Sequence, residues 1–260
     1  MGKSKVNLYS IPKSTQQGER ISSALKLLEL EGIRSSFDKL ANRMFKEHST
    51  FYDFLESLLE KELCYKEENR QQRWIQQARF PWLKTLVDFD FSFQPKLNKR
   101  LVYELASCRF IDRAENVIFL GPPGVGKTHL SIALGLEAIQ KGYEVRFLTL
   151  AQLIESVEKT DNDAVLRHRL LGMLLRPKLL ILDEMDLHDT TLTSSTFLFK
   201  LLQDRYEKGS IVFTSNKAFA EWGKLFDNKT RAGAIVDRIL HHAITIPIEG
   251  ESYRLKGKPR

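Results

Sequence analysis

The sequence has few cysteines and no long apolar run. Only Cys64 and Cys108 occur among 260 residues, without the spacing of a zinc site, so we expect two free, buried or half-buried thiols. No stretch approaches the roughly 20 apolar residues of a membrane-spanning helix. The opening residues MGKSKVNLYS lack the apolar block of a signal peptide. These absences predict a protein of the reducing cytoplasm.

Internal repeats and low-complexity tracts are also missing, and the composition is that of a globular protein. Hydrophobic residues make up 42% and charged residues 28%, which excludes general disorder and fibrous repeats. Lys and Arg number 40 against 33 Asp and Glu, a net charge of +7 that favours association with a polyanion. The first hundred residues hold 18 basic and 13 acidic side chains, so most of the excess lies there.

Sequence patterns divide the chain into five segments. We predict a loose leader (1–18), a helical domain with apolar residues at three and four spacings (19–80), a linker (81–97), an α/β domain (98–250) and a basic tail (251–260). The tail is either a phosphate-binding arm or a solubilising end. In the linker, phenylalanines alternate with polar residues, which indicates an extended segment whose rings pack on the next domain. Stacking on DNA bases is the alternative role of these rings.

The α/β domain alternates helical stretches with short apolar strands, which is typical of a largely parallel sheet. Five strands are predicted: Asn116–Leu120, Tyr143–Leu148, Lys178–Asp183, Ser210–Ser215 and Ala243–Ile248. A helix is predicted from His129 to about Gln140.

The first predicted strand runs into a phosphate-binding loop. GPPGVGKT fits G-x-x-x-x-G-K-[ST] between a strand and a helix, the context that the motif requires. Lys127 is expected to reach the β- and γ-phosphates of a triphosphate, and the Thr128 hydroxyl to ligate Mg²⁺. The nucleotide-binding residues predicted here are Gly121, Pro122, Pro123, Gly124, Val125, Gly126, Lys127, Thr128 and His129.

Two further strands end in polar residues that complete a hydrolytic site. LLILDE places Asp183 and Glu184 at the carboxyl end of a strand, the edge where parallel sheets bind ligands. Asp183 is expected to hold the Mg²⁺ shell and Glu184 to polarise the attacking water. Asn216, after FTS, can hold that water or sense the γ-phosphate, with turn formation as the competing interpretation.

The charged residues outside these motifs have two possible roles each, one functional and one structural. Arg238 could serve the site of a neighbouring subunit or form a surface ion pair. A basic, glutamine-rich helix end could track DNA phosphates or be a solvated face; its cations are Lys66, Arg70, Arg73 and Arg79.

Together these segments resemble the IstB-like transposition helper ATPases, relatives of DnaC-type helicase loaders within the AAA+ superfamily. The resemblance runs from about Gly18 to Leu255 and includes ARFPWLKTLVDFDFSFQP, ENVIFLGPPGVGKTHLSIALGLEAIQKGY, LLILDE, FTSN and DRILHHAITIPIEGESYRL. It implies a helical domain before an AAA+ domain without a lid. By position, Lys127 and Thr128 match Walker A, Asp183 and Glu184 Walker B, Asn216 sensor I and Arg238 the arginine finger.

The resemblance implies a homo-oligomeric, Mg²⁺-dependent ATPase that binds duplex DNA and assists a transposase. A helicase loader and a nucleotide-gated DNA-binding scaffold are the alternatives. One segment departs from the family pattern: Met185–Asp189 replaces a hydrophobic residue, a glycine and a Leu-Pro turn, and adds two carboxylates. These carboxylates either weaken nucleotide or DNA binding or point outward, and we expect ATPase activity to survive.

Overall fold

The chain divides into two compact units, which meet in sequence between Arg73 and Trp74. The computed structural model describes residues 15–160, 163–186, 190–226 and 229–255. The division differs from the predicted boundary at residue 80, because Trp74, Ile75 and Ala78 pack on the core of the second unit. Helix begins at Thr15, inside the predicted leader, and the residues before it lie outside the described ones.

The first unit is helical, as predicted. It contains α1 (Thr15–Leu27), α2 (Glu31–Lys46) and the first part of α3 (Phe51–Ala78). Its small core joins Ile33, Leu40 and Leu58. The prediction for the two thiols was half right: both are free, but only Cys108, in the second unit, is buried, whereas Cys64 is exposed on α3.

The second unit is built on five parallel strands in the order β2-β3-β4-β1-β5. Their bounds are β1 (Asn116–Leu120), β2 (Val145–Thr149), β3 (Leu179–Asp183), β4 (Ser210–Ser215) and β5 (Ala243–Pro247). The central strands are continuous apolar runs because helices cover both faces of the sheet. Along β1, Val117 and Phe119 enter the core on one face and Ile118 the core on the other.

Helices connect the strands, and their polar ends follow capping rules. Thr149 and Thr191 form capping boxes at the helices that begin at Leu150 and Leu192. The Asp163 carboxylate accepts the N–H groups of Val165 and Leu166 at the helix that begins at Ala164. The helices are α4 (Lys99–Leu105), α5 (Arg109–Asp112), α6 (Lys127–Gln140), α7 (Leu150–Glu158), α8 (Ala164–Leu175), α9 (Leu192–Arg205), α10 (Phe219–Trp222) and α11 (Lys229–His241), with 3₁₀ turns at Gly223–Leu225 and Tyr253–Leu255. None of the helices in the described part of the chain is long and apolar enough to cross a bilayer.

The predicted linker is part of the second unit. The prediction of an extended segment was wrong: the chain here makes successive turns, with N–H groups of Phe89, Phe93 and Leu97 donating to the carbonyls three residues earlier at 3.0–3.3 Å. The expected packing of the rings was right, since Phe89 is buried and Phe91 stacks on Tyr103 at 5.8 Å.

Candidate functional site

The phosphate loop joins β1 to α6 and depends on glycine at two positions. Gly124 and Gly126 adopt left-handed φ angles of 82° and 100°. A Cβ atom on Gly124 would lie 2.0 Å from the Ser252 hydroxyl, and one on Gly126 would lie 2.5 Å from the Phe89 ring. Any larger side chain would collide with these neighbours, so glycine lets the loop pack closely against Ser252 and Phe89. The helix that follows directs its positive end toward the loop.

Lys127, the first residue of α6, folds over this loop. Its ammonium group donates to the carbonyl oxygens of Gly121 at 2.6 Å and Pro122 at 2.9 Å. Burial lowers the pKa of Lys127, while the carboxylates of Asp186 and Asp183 oppose that shift. The cation is therefore held at the loop by neutral carbonyls, which an anionic ligand can replace.

The two predicted motifs meet at the carboxyl edge of the sheet. The Thr128 hydroxyl donates to the Asp183 carboxylate at 2.9 Å, although the two residues lie 55 positions apart. Asp183 is buried at the end of β3 and also accepts from the Thr214 hydroxyl at 2.5 Å. Burial raises the pKa of Asp183, and the two hydroxyls oppose the rise by stabilising the ionised form. A buried carboxylate beside a hydroxyl is a donor set that suits Mg²⁺.

Glu184 turns out of the sheet directly after Asp183. Its φ of 56° is left-handed, and its N–H donates to the Thr214 hydroxyl at 2.9 Å. Its side chain is exposed and lines the same cleft as Lys127 and Thr128. The strand thus buries one carboxylate and presents the next to the cleft.

Asn216 follows β4 and also lines the cleft. Its main-chain N–H donates to the carboxylate of Asp186 at 3.2 Å. Sequence reasoning left Asp186 without an assigned position, and the structure places it at this cleft. Leu187, His188 and Asp189 lie outside the described residues.

Arg238 does not lie in this cleft. It belongs to α11 and its guanidinium stands 5.9 Å from the centre of the Tyr206 ring. The depression around it includes Asn116, Gly209 and Ile211, at the amino ends of β1 and β4. The phosphate loop follows the carboxyl end of β1, so Arg238 lies at the opposite edge of the sheet.

The cleft has two walls that sequence reasoning missed. Its volume of about 490 Å³ is in the range of small-molecule sites. One wall comes from the turn-rich segment and includes Trp82, Phe89 and Phe93. His129, predicted to bind nucleotide, contacts this wall: its ring meets Phe89 edge-on at 5.2 Å and its Nε2 atom is 2.8 Å from the Thr85 carbonyl.

The second wall is formed by the start of the predicted basic tail, which packs against the phosphate loop and the turn-rich segment. The Tyr253 N–H donates to the Gly124 carbonyl at 2.9 Å, and the Tyr253 ring packs against Phe93 at 5.1 Å. Arg254 lines the cleft beside Lys127. The sequence signals for these walls are the aromatic residues of the FDFSF and SYR segments. The two segments are far apart in sequence and come together only through tertiary packing. Residues 256–260 lie outside the described ones.

The four candidate DNA-binding cations are all exposed. Two of them form ion pairs within α3. The Lys66 ammonium lies 3.7 Å from the Glu62 carboxylate, and the Arg70 guanidinium pairs with the Glu67 carboxylate. Arg73 donates to the Asn69 carbonyl at 3.3 Å. Arg79 follows α3 in the second unit, with a left-handed φ of 60°.

Comparisons with known proteins agree with this geometry. The family described as IstB-like ATP binding protein matches residues 23–260. A Pseudomonas aeruginosa protein named as an ATP-binding protein of insertion sequence IS21 is 43% identical over 90% of this chain and 88% of its own length. A Geobacillus stearothermophilus protein named likewise for insertion sequence IS5376 is 38% identical over 92% of this chain and 95% of its own.

Solved structures match the fold of the second unit. The crystal structure of DnaI superposes with a TM-score of 0.54 and 22% identity, covering 64% of this chain and 90% of that one. The AMPPCP-bound DnaA of Aquifex aeolicus gives a TM-score of 0.51 and 23% identity, covering 66% of this chain and 52% of that one. The parallel sheet and these likenesses show that the chain shares its α/β fold with DnaI and DnaA.

Proposed function

Since the chain belongs to the IstB-like ATP-binding protein family, we propose that it is the ATP-hydrolysing helper of an insertion sequence. In this proposal it binds ATP with Mg²⁺, assembles with copies of itself on duplex DNA and assists a transposase in selecting or preparing target DNA. The observation that carries the proposal is the hydrogen bond from Thr128 to Asp183 beside a glycine loop that lines a cleft.

Each residue of the cleft has a role that follows from its position. Lys127 exchanges its carbonyl contacts for phosphate oxygens, and Thr128 and Asp183 hold Mg²⁺, which neutralises phosphate charge when bound. Glu184, exposed to the cleft, takes the proton of the attacking water on its carboxylate. Asn216 orients that water without adding charge.

Arg238 is proposed to act between subunits. Its place at the opposite edge of the sheet puts it beyond the nucleotide of its own chain, and a guanidinium suits the charge that builds on a transferring phosphoryl group. A phosphate shared between Lys127 of one subunit and Arg238 of the next makes assembly depend on the nucleotide. Hydrolysis then loosens the assembly.

One feature of the first unit supports partner contacts. The described face of α3 exposes Tyr52, Leu55, Leu59 and Leu63, with exposed fractions of 50–84%, and apolar surface of this kind marks sites of protein contact. We propose the transposase as the partner because the named relatives belong to insertion sequences. Co-purification with the transposase, set against a replicative helicase, tests this choice over a helicase loader.

DNA binding is predicted to depend on the exposed cations of the α3 region. Changing Arg70, Arg73 and Arg79 together to glutamine should weaken binding to duplex DNA and reduce the slope of log affinity against log salt by up to about 3, because each phosphate contact releases counterions. Fluorescence anisotropy across a salt series measures both. A control variant with Arg113, Lys159 and Lys208 changed to glutamine should keep the wild-type slope. An unchanged slope in the first variant would place the DNA surface elsewhere.

Sizing the full-length protein tests the assembly proposal. With duplex DNA, light scattering should find a larger species with ATP than with ADP or without nucleotide. This difference is expected because the shared γ-phosphate is lost on hydrolysis. Equal masses in all three states would contradict nucleotide-dependent assembly.

A further inference from the structure

Asp186 follows the paired acids Asp183 and Glu184, and the fold carries it to the cleft of the proposed nucleotide site. The left-handed turn at Glu184 reverses the chain after β3, and the Asp186 N–H donates to the Glu184 carbonyl at 2.6 Å. The intervening Met185 is buried, and its N–H donates to the Thr214 carbonyl at 2.8 Å. The turn is therefore anchored to β4, and the side chain of Asp186 is half-buried at the cleft edge.

The carboxylate of Asp186 joins the end of β3 to the end of β4. Its Oδ1 atom accepts the main-chain N–H of Asn216 at 3.2 Å and lies 3.4 Å from the Ser215 hydroxyl. That hydroxyl is itself fixed, since it donates to the Met185 carbonyl at 3.0 Å and meets the indole N–H of Trp222 at 3.3 Å. One oxygen of Asp186 thus holds the main chain from which the Asn216 side chain projects.

The charge of Asp186 acts on the same cleft. Lys127, Glu184 and Asp186 all line the cleft in which the phosphates would lie. A half-buried negative charge at this place repels a polyphosphate and also competes with it for Lys127.

We propose that Asp186 is a positioning residue with two separable effects: its Oδ1 atom fixes the main chain of Asn216, and its negative charge weakens nucleotide binding. The inference rests on the proposed ATP site. The charge shortens the time that ADP remains bound, and the hydrogen bond keeps the γ-phosphate sensor in place for hydrolysis.

Two substitutions separate these effects. Asp186→Asn keeps an acceptor oxygen and removes the charge, whereas Asp186→Ala removes both. Titration of the full-length protein with the fluorescent analogue mant-ADP should give a dissociation constant about fivefold lower for both variants at low salt, an order-of-magnitude Coulomb effect. The gain should shrink in high salt, because a half-exposed charge is screened.

Turnover distinguishes the hydrogen bond from the charge. Saturating-ATP kcat should stay near the wild-type value in Asp186→Asn and fall about tenfold in Asp186→Ala, because only the second variant releases the main chain of Asn216. Glu158→Gln, which removes an exposed carboxylate on α7 outside the cleft, should change neither affinity nor kcat. Equal kcat in the two Asp186 variants would overturn the positioning effect, and an unchanged affinity in Asp186→Asn would overturn the charge effect.

Lys127→Ala in the same titration keeps the two proposals apart. If it loses mant-ADP binding while Asp186→Asn behaves as wild type, only the inference on Asp186 fails. If it binds mant-ADP normally, the proposed ATP site fails. Thermal unfolding without nucleotide identifies a folding defect in Asp186→Ala. If that variant is misfolded, the mant-ADP affinity of Asp186→Asn, which keeps the acceptor oxygen, still tests the charge effect.

Discussion

Changing Lys127 to alanine should weaken ATP binding by about 100-fold or more and reduce turnover to background. The substitution removes two or more charge-assisted hydrogen bonds to phosphate at once, and their combined loss costs several kcal/mol of binding free energy. The fold should persist, since Lys127 bonds only to two loop carbonyls in the described protein and not to a core residue. Equilibrium titration with mant-ATP and phosphate release measure the two effects.

Lys141→Ala is the matched control for this prediction. Lys141 is exposed and caps the far end of the same helix, α6, so its loss removes an equal charge away from the loop. It should bind and hydrolyse ATP as the wild type does. Wild-type ATP affinity in Lys127→Ala would show that the phosphate loop does not bind the nucleotide.

Changing Glu184 to glutamine should preserve ATP binding and lower turnover by roughly 100-fold to 10,000-fold, the range expected when a general base is lost. The glutamine has the same shape, and the N–H that Glu184 donates to Thr214 belongs to the main chain, so the local turn is kept. Binding and hydrolysis separate in this variant because Asp183, not Glu184, contacts Thr128. Phosphate release under saturating ATP measures the loss.

The same variant also tests what hydrolysis is for. Glu184→Gln should form the ATP-state assembly on duplex DNA and fail to leave it, and it should not support repeated transposition. If Glu184→Gln supports the full reaction over several rounds, the protein is a nucleotide-gated scaffold and hydrolysis has no mechanical role. Turnover equal to the wild type would instead assign the base to another residue.

The sequence predicted the sheet well because its strands carry their own signals. β1 and β4 begin and end where their apolar runs do, at Asn116–Leu120 and Ser210–Ser215. β2 begins at Val145 and not at Tyr143, because the Tyr143 N–H still closes α6 by donating to the Ala138 carbonyl at 2.9 Å. Such helix ends are set by backbone geometry, which an apolar pattern does not reveal.

The site was predictable only in its central part. The spacing of the glycine loop and the position of Asp183 at a strand end place both at one edge of a parallel sheet, and the structure brings Thr128 and Asp183 together there. The wall residues Phe93 and Tyr253 lie far apart in sequence, and no local pattern indicates that their rings meet. Asp186 could be identified as unusual from the sequence, but its bond to Asn216 depends on the left-handed turn at Glu184.

A crystal structure of the protein with a non-hydrolysable ATP analogue and Mg²⁺ would show whether the glycine loop and Asp183 form one nucleotide site. We expect the triphosphate in the curve of residues 121–126, with the Lys127 ammonium moved from the carbonyls of Gly121 and Pro122 to the phosphates, and with Mg²⁺ held by Thr128 and Asp183. A nucleotide bound elsewhere, or one bound while Lys127 keeps both carbonyl contacts, would contradict this expectation.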